Sequence, residues 1–110
     1  MQVFDVVEYV NEKGVSPFGE WLRALDTSPR GRIVIALARM RDGNLADTKG
    51  VGDGVFENRL DFGAGYRIYF ARDGERILLL LAGGTKRRQE KDIARAKLLW
   101  RTYKLRDRGE

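Results

Sequence analysis

Three charged residues in the stretch Gly54–Phe70 have types and a spacing that suit chemistry on a phosphodiester: Glu57, Arg59 and Arg67. Side chains of a strand alternate between its faces, so all three fall on the same face of a predicted hairpin. RNA is cut without metal when its 2′-hydroxyl attacks the adjacent phosphate, which requires a base, cations near the developing charge and an acid. Arginine offers a rigid two-pronged donor for phosphate oxygens. Glu57, the carboxylate flanked by Arg59 on its own face, is a candidate base.

The same residues also fit ordinary ion pairs. Packing the aromatic and aliphatic side chains of the hairpin on a core would leave Glu57, Arg59, Arg67 and Tyr69 facing solvent. Tyr69 projects with Arg67 and could then stack on a base. Ion-pair networks on a charged sheet face are common, so spacing alone favours that simpler interpretation.

A second group of cations, Lys86, Arg87 and Arg88, follows Gly83-Gly84 and precedes a predicted helix. Cations near a helix N-terminus oppose the helix dipole, which hints at a use other than local stability. One such use is phosphate binding beside free backbone N–H groups. A solvated turn is an equally good interpretation.

Composition excludes several classes of site. The 110 residues include no cysteine and no histidine, so a thiolate metal site and every histidine-based catalytic arrangement are excluded. With 43% hydrophobic and 34% charged residues, the chain predicts one globular domain, residues 1–110. We expect no metal and no cofactor. No basic-then-apolar leader opens the chain and no apolar run reaches membrane-span length, so we expect a cytoplasmic protein that does not bind membranes.

The positive charge is concentrated near the C-terminus. Residues 84–110 contain ten Lys and Arg against four Asp and Glu, a net of +6, whereas the whole chain carries +5. A basic region of this kind favours polyanions such as nucleic acid, or an acidic protein partner. A solvated helix with a basic tail explains the same pattern.

The elements that must position these residues follow in the order β-α-α-β-β-β-α. A first strand is predicted over Gln2 to Tyr9. Two helices open at Ser16-Pro17 and Ser28-Pro29, where serine suits the N-cap and proline the first helical position, and they form an αα-hairpin. The remaining predicted elements are the strands Val55–Asp61, Tyr66–Phe70 and Ile77–Ala82 and a helix from Gln89 to Tyr103, followed by a frayed end. Leu45 to Asp53 reads as a loop. The fold class is therefore α+β, with a mostly antiparallel twisted sheet.

In combination these motifs resemble the RelE/ParE superfamily of type II toxin–antitoxin toxins, and most closely its HigB-like branch of phage-derived killer proteins. A GxGYRxYF block at Gly63–Phe70 with LLxGGxK downstream at Leu80–Lys86 is specific as a pair. Further segments carry the resemblance along nearly the whole chain: Phe18–Leu22 with Leu25, Ile33–Asn44, Gly52–Arg59, and Gln89, Asp92, Ile93 and Ala96.

The resemblance implies a RelE-like fold and a toxin that stops translation by cutting mRNA in the ribosomal A site. It also implies a cognate antitoxin, a helix-turn-helix protein of the HigA kind, through which the pair would contact operator DNA. By position it assigns the cleavage to Glu57, Arg59, Arg67 and Lys86. Glu57 would orient or deprotonate the 2′-hydroxyl, the arginines would hold the phosphate, and Lys86 would serve the leaving oxygen. RNA contacts are expected from Lys49, Tyr69, Arg87, Arg88 and Lys91.

The chain departs from the superfamily pattern in having no histidine and no obvious C-terminal tyrosine matching the one some relatives use. Two other functions stay open on the sequence. One is a ParE-like toxin that has the same fold and inhibits DNA gyrase by binding. The other is a plain nucleic-acid-binding module that uses the basic C-terminal segment.

Overall fold

A computed structural model describes residues 3–110 and shows an α+β fold with a five-stranded mixed sheet and three helices. The strands are β1 (Asp5–Glu8), β2 (Thr48–Gly52), β3 (Val55–Leu60), β4 (Tyr66–Asp73) and β5 (Ile77–Thr85). The helices are α1 (Pro17–Ala24), α2 (Thr27–Arg41) and α3 (Gln89–Asp107), with a 3₁₀ turn at Lys86–Arg88 before α3. Among the described residues no helix is long and apolar enough to cross a membrane.

The strands are arranged in the order β1-β5-β4-β3-β2. The pairs β2–β3, β3–β4 and β4–β5 are antiparallel, and β1 joins the far side of β5 in parallel. The mostly antiparallel sheet is thus confirmed, and so is the position of β5 inside it. The expected hairpin is confirmed with Glu57 opposite Tyr69 and Arg59 opposite Arg67.

Helices cover both faces of the sheet. Phe18 of α1 and Ile33 and Met40 of α2 pack with Ile68, Phe70, Leu78 and Leu80 on one face. Ala96 and Trp100 of α3 pack with Val55, Tyr69, Leu79 and Leu81 on the other. The apolar run of β5 needs two such layers because successive side chains enter opposite faces.

The stretch Leu45–Asp53, expected to be a loop, contains the edge strand β2, so the order is β-α-α-β-β-β-β-α. β2 pairs with β3 through a register in which Thr48 faces Asn58 and Lys49 faces Glu57, with a bulge between Gly50 and Gly52. Most of its residues are exposed, and backbone pairing with β3 joins it to the sheet, supported by side-chain contacts of Thr48 with Asn58 and of Lys49 with Glu57.

The helix boundaries agree in part with expectation. Ser16 caps α1, since its Oγ accepts from Gly19 N at 2.9 Å. α2 begins earlier than predicted, with Asp26 rather than Ser28 at the N-cap. Pro29 then lies in the first turn, where its missing N–H removes no helical hydrogen bond. α3 extends past Tyr103 to Asp107 and is not frayed there, because Arg106 Nη2 donates to Val10 O at 2.8 Å.

Two further expectations need correction. β1 covers Asp5–Glu8 and is shorter than the predicted strand from Gln2 to Tyr9, of which Gln2 lies outside the described residues. Of the side chains expected to be apolar members of this strand, Val3 and Val7 are 51% and 44% exposed, whereas Tyr9 is buried, as is the neighbouring Phe4. Gly83 and Gly84 do not end β5 but lie within it, pairing with Ile68 and Arg67.

Candidate functional site

The site is organised around Glu57, whose side chain is fully buried in the middle of β3. Glu57 Oε2 accepts a hydrogen bond of 2.7 Å from Gln89 Nε2, at the first residue of α3. The same oxygen lies 3.5 Å from Arg67 Nε on β4, and Oε1 lies 3.9 Å from Lys49 Nζ on β2. The Glu57 carboxylate therefore connects β2, β4 and the start of α3, which are far apart in the sequence.

The Arg67 guanidinium is held from two sides. Besides its ion pair with Glu57, its Nη1 donates to Gly65 O at 2.6 Å. The Arg67 side chain is only 7% exposed, and the ion pair with Glu57 neutralises a charge that would otherwise be costly to bury. These contacts fix both the position and the orientation of the guanidinium.

Arg59 and Lys86 bring two exposed cations to the same region. Arg59 is the direct cross-strand partner of Arg67. Lys86 N donates to Ala64 O at 3.3 Å, which joins the 3₁₀ turn to the loop between β3 and β4. A side-chain carbon at Gly65 would lie 3.1 Å from both Arg67 Nη1 and Lys86 Cβ, so glycine is needed for this close approach.

Tyr69 and Asp92 complete the buried polar group beneath α3. Tyr69 Oη is buried beside the Glu57 carboxylate without meeting hydrogen-bond geometry, and burial, reinforced by that carboxylate, raises the pKa of the Tyr69 phenol. Asp92 Oδ2 is buried against Gly84, and burial raises the pKa of the Asp92 carboxyl while Arg88 and Arg95 act in the opposite direction.

The expectation that Glu57, Arg67 and Tyr69 face solvent is wrong. Their residues are 0%, 6% and 0% exposed because α3 covers this face of the sheet. Only Arg59 of the four expected on that surface is exposed. Tyr69 therefore cannot offer a ring face to an RNA base in this structure, and Glu57 has no direct contact with solvent.

The other residues expected to bind RNA are exposed. Lys49 lies on the edge strand, with its side chain 55% exposed. Arg87 and Arg88 follow Lys86 on the 3₁₀ turn, and Lys91 lies in the first turn of α3. The structure thus gathers Lys86, Arg87, Arg88 and Lys91 into one basic rim and places Lys49 on the far side of Glu57.

Sequence reasoning did not assign Gln89 and Asp92 to the site. A signal was available, because Gln89 precedes Ile93 and Ala96 by four and seven positions, and Asp92 precedes Ala96 by four. This helical spacing places both polar residues on the face that Ala96 and Trp100 turn toward the sheet.

The arrangement is suited to holding an anion. The buried Arg67 guanidinium lies at the base of the site, with the exposed cations Arg59 and Lys86 at its surface and the Glu57 carboxylate beneath. Such preorganised donors stabilise charge that develops on phosphate oxygens, because they need little reorganisation during reaction.

Comparison with known proteins places the chain in a family. A 42% identical protein of Haemophilus influenzae (strain ATCC 51907 / DSM 11121 / KW20 / Rd), described as an uncharacterized protein, aligns over 83 residues, which are 74% of this chain and 84% of that protein. The model of the family described as phage-derived protein Gp49-like (DUF891) matches residues 20–104, which include every site residue described above. The chain therefore belongs to this Gp49-like family, which is related to toxin–antitoxin systems.

Proposed function

We propose that the protein is the toxin of a type II toxin–antitoxin system and acts as a ribosome-dependent endoribonuclease that cuts mRNA. The cut uses the RNA's own 2′-hydroxyl as the nucleophile, without metal. Family membership supports the toxin role. The convergence of Arg59, Arg67 and Lys86 supports the chemistry, because a phosphodiester needs cations where charge develops on its oxygens.

The observation that carries the proposal is the opposition of Arg59 and Arg67. Like charges directly across a sheet are destabilising. Glu57 compensates Arg67, whereas Arg59 forms no ion pair within the described part of the chain. A destabilising pair of like charges is expected where a bound ligand supplies the neutralising negative charge, and a phosphate would supply it to Arg59 here.

In this proposal the three cations have separate roles. Arg59 and Lys86, both exposed, hold the non-bridging oxygens of the scissile phosphate. Arg67 stabilises the developing charge from beneath, and Lys86 also stabilises or protonates the leaving 5′-oxygen. Glu57 is a positioning residue: it fixes Arg67 and the start of α3. The 2′-hydroxyl proton passes to a base supplied by the ribosome or by solvent water as the 2′-oxygen bonds to phosphorus, and the bond from phosphorus to the 5′-oxygen breaks.

The basic rim and Lys49 bind the flanking RNA phosphates. Lys86, Arg87, Arg88 and Lys91 form a continuous exposed surface, and contacts of this type position RNA without reading its sequence. We assign Tyr69 to the support of the buried site, since its ring packs in the core under α3.

The proposed partners follow from the toxin role. A cognate antitoxin of the helix-turn-helix, HigA-like kind binds the protein and carries any contact with operator DNA. mRNA is the substrate, and the ribosome presents it, which requires a cytoplasmic location.

Growth arrest by an Arg67→Ala variant tests the proposal, with Arg101→Ala as the matched control because Arg101 is an exposed arginine on the outer side of α3. The folded Arg67→Ala protein should no longer arrest growth or shorten mRNA, whereas Arg101→Ala should act like the parent. Arrest by a folded Arg67→Ala protein would contradict the assignment. Arrest of the parent with intact mRNA and a DNA-damage response would instead indicate a gyrase inhibitor.

A further inference from the structure

A groove of about 420 Å³ lies between α2 and the end of β3, on the other side of Arg59 from Arg67. Its volume is in the range of small-ligand sites. Its floor is apolar, with Ala36, Met40 and Leu60, and Ile35 at its edge is 55% exposed. An aliphatic side chain this exposed beside a groove is available to pack on a bound group.

The groove is surrounded by three arginines that have no carboxylate partner. Arg32, Arg39 and Arg59 all line it, and within residues 3–110 none of them forms an ion pair. Asp47 and Asp61 also line it without pairing to these arginines. Unpaired guanidiniums at the rim of an apolar pocket favour a ligand that carries a phosphate.

The polar and aromatic groups of the groove match a nucleobase. The guanidinium carbon of Arg32 lies 4.6 Å from the centroid of the Phe62 ring, which gives a flat surface of the kind on which unstacked bases pack. Asn44 and Asp47 are exposed and present an amide and a carboxylate, whereas the buried Asn58 amide donates to Thr48 Oγ1 at 3.1 Å. Such groups pair with base edges, and a carboxylate accepts from exocyclic amino groups.

We infer that this groove binds one nucleotide of single-stranded RNA, with its base against the apolar floor and its phosphate on Arg32 or Arg39. Arg59 links the groove to the cleavage site because it lines the groove and is the cross-strand partner of Arg67. The groove lies on the α2 side of the sheet and Arg67 lies under α3 on the other side, so a nucleotide in the groove is separated from the scissile linkage by the end of β3. The groove would set which base is preferred at that position of the bound strand. The biological role of the groove rests on the proposed function, whereas nucleotide binding by the groove can be tested independently of that function.

Titration of the full chain with 5′-mononucleotides tests the inference without the ribosome. The probes are AMP, CMP, GMP and UMP, with ribose 5-phosphate as the ligand that lacks a base. Amide chemical shifts of Ile35, Arg39 and Asn58 report the site. At least one nucleotide should bind about tenfold more tightly than ribose 5-phosphate, since a well-paired base edge contributes that much. Arg39→Ala should weaken this binding about fivefold, whereas Arg101→Ala should leave it within about twofold.

Two outcomes would overturn the inference. Equal binding of nucleotides and ribose 5-phosphate would show a phosphate site that does not recognise a base. Shifts of the groove amides with an acidic amphipathic peptide, but not with nucleotides, would show a protein-docking surface. Either result leaves mRNA cleavage by the parent protein unaffected, whereas nucleotide binding by a protein that cuts no mRNA would overturn the proposed function alone.

Discussion

Arg59 and Arg67 are direct cross-strand partners in the β3–β4 ladder, but of the two only Arg67 is paired with a carboxylate among the described residues. Glu57 lies next to Arg59 on the same face and binds Arg67 instead, with 3.5 Å between Oε2 and Nε. One guanidinium is therefore fixed and neutralised, and the other is exposed and available to a ligand. The two arginines should respond to substitution in opposite ways.

Arg59→Gln should raise the free energy of unfolding by about 0.5 kcal/mol, because it removes a like charge directly opposite Arg67. The same change should lower mRNA cleavage about hundredfold if Arg59 holds the scissile phosphate. Urea unfolding and a translation-coupled cleavage assay measure the two effects. A destabilised variant would show that Arg59 has a structural role instead.

Glu57→Gln should destabilise the protein by about 3 kcal/mol, since it leaves the buried Arg67 guanidinium without its counter-charge. The double variant Glu57→Gln/Arg67→Gln is the control and should recover part of the loss. Urea unfolding of the single and double variants measures the coupling between the two residues. No recovery in the double variant would show that Glu57 stabilises the fold through Gln89 or Lys49 rather than through Arg67.

The pH dependence of cleavage separates the two roles considered for Glu57. If Glu57 only positions Arg67, the pH–rate profile of Glu57→Gln should keep the shape of the parent's profile while the rate falls. A general base would contribute an acidic limb that disappears in the variant. Rates at several pH values on presented mRNA decide between them.

Gly84→Ala should destabilise the fold by about 2 kcal/mol, because the new methyl group would overlap the Asp92 carboxylate. Adding Asp92→Ala should relieve the overlap and restore much of the stability. Gly31→Ala is the matched control: it lies in α2 with nothing within 4 Å of its added carbon, and should stabilise by about 0.5–1 kcal/mol. Thermal or urea unfolding of the three variants is sufficient.

Tyr103 donates a hydrogen bond of 2.5 Å to Asp73 Oδ2, which is the largest cause that raises the pKa of the Tyr103 phenol to about 12. A raised pKa means that the folded state holds the proton more tightly than the unfolded state. The stabilisation is therefore complete below about pH 10 and is lost as pH rises through about 12. Tyr103→Phe should cost about 1 kcal/mol at pH 8 and less at higher pH. A pH-independent difference between parent and Tyr103→Phe would contradict this interpretation.

Much of the central sheet could be predicted from sequence because alternation fixes which side chains share a face. Glu57, Arg67 and Tyr69 were correctly placed together. Which faces are covered is a property of the whole sheet, however, and it depends on where α3 packs. The apolar run of β5 contained this information: a strand apolar on both faces needs two layers, so the neighbouring face of β4 is covered too.

Two strands gave little local signal. β2 is an exposed edge strand with two glycines, held by backbone bonds to β3, so its composition resembles that of a loop. The pairing of β1 with β5 joins residues about seventy positions apart, and no local pattern encodes such a contact. The groove beside α2 was missed for the same reason, since Arg32, Arg39 and Arg59 come together only after folding.

The chemistry of the RNA ends tests the central claim most directly. mRNA recovered from a translation reaction with the parent protein should carry new 5′-hydroxyl ends and 2′,3′-cyclic phosphates, since attack by the 2′-hydroxyl leaves those groups. The ends should be absent with folded Arg67→Ala and present with Arg101→Ala. New ends that carry a 5′-phosphate, or translation arrest with mRNA intact, would contradict cleavage at a phosphate held by Arg59, Arg67 and Lys86.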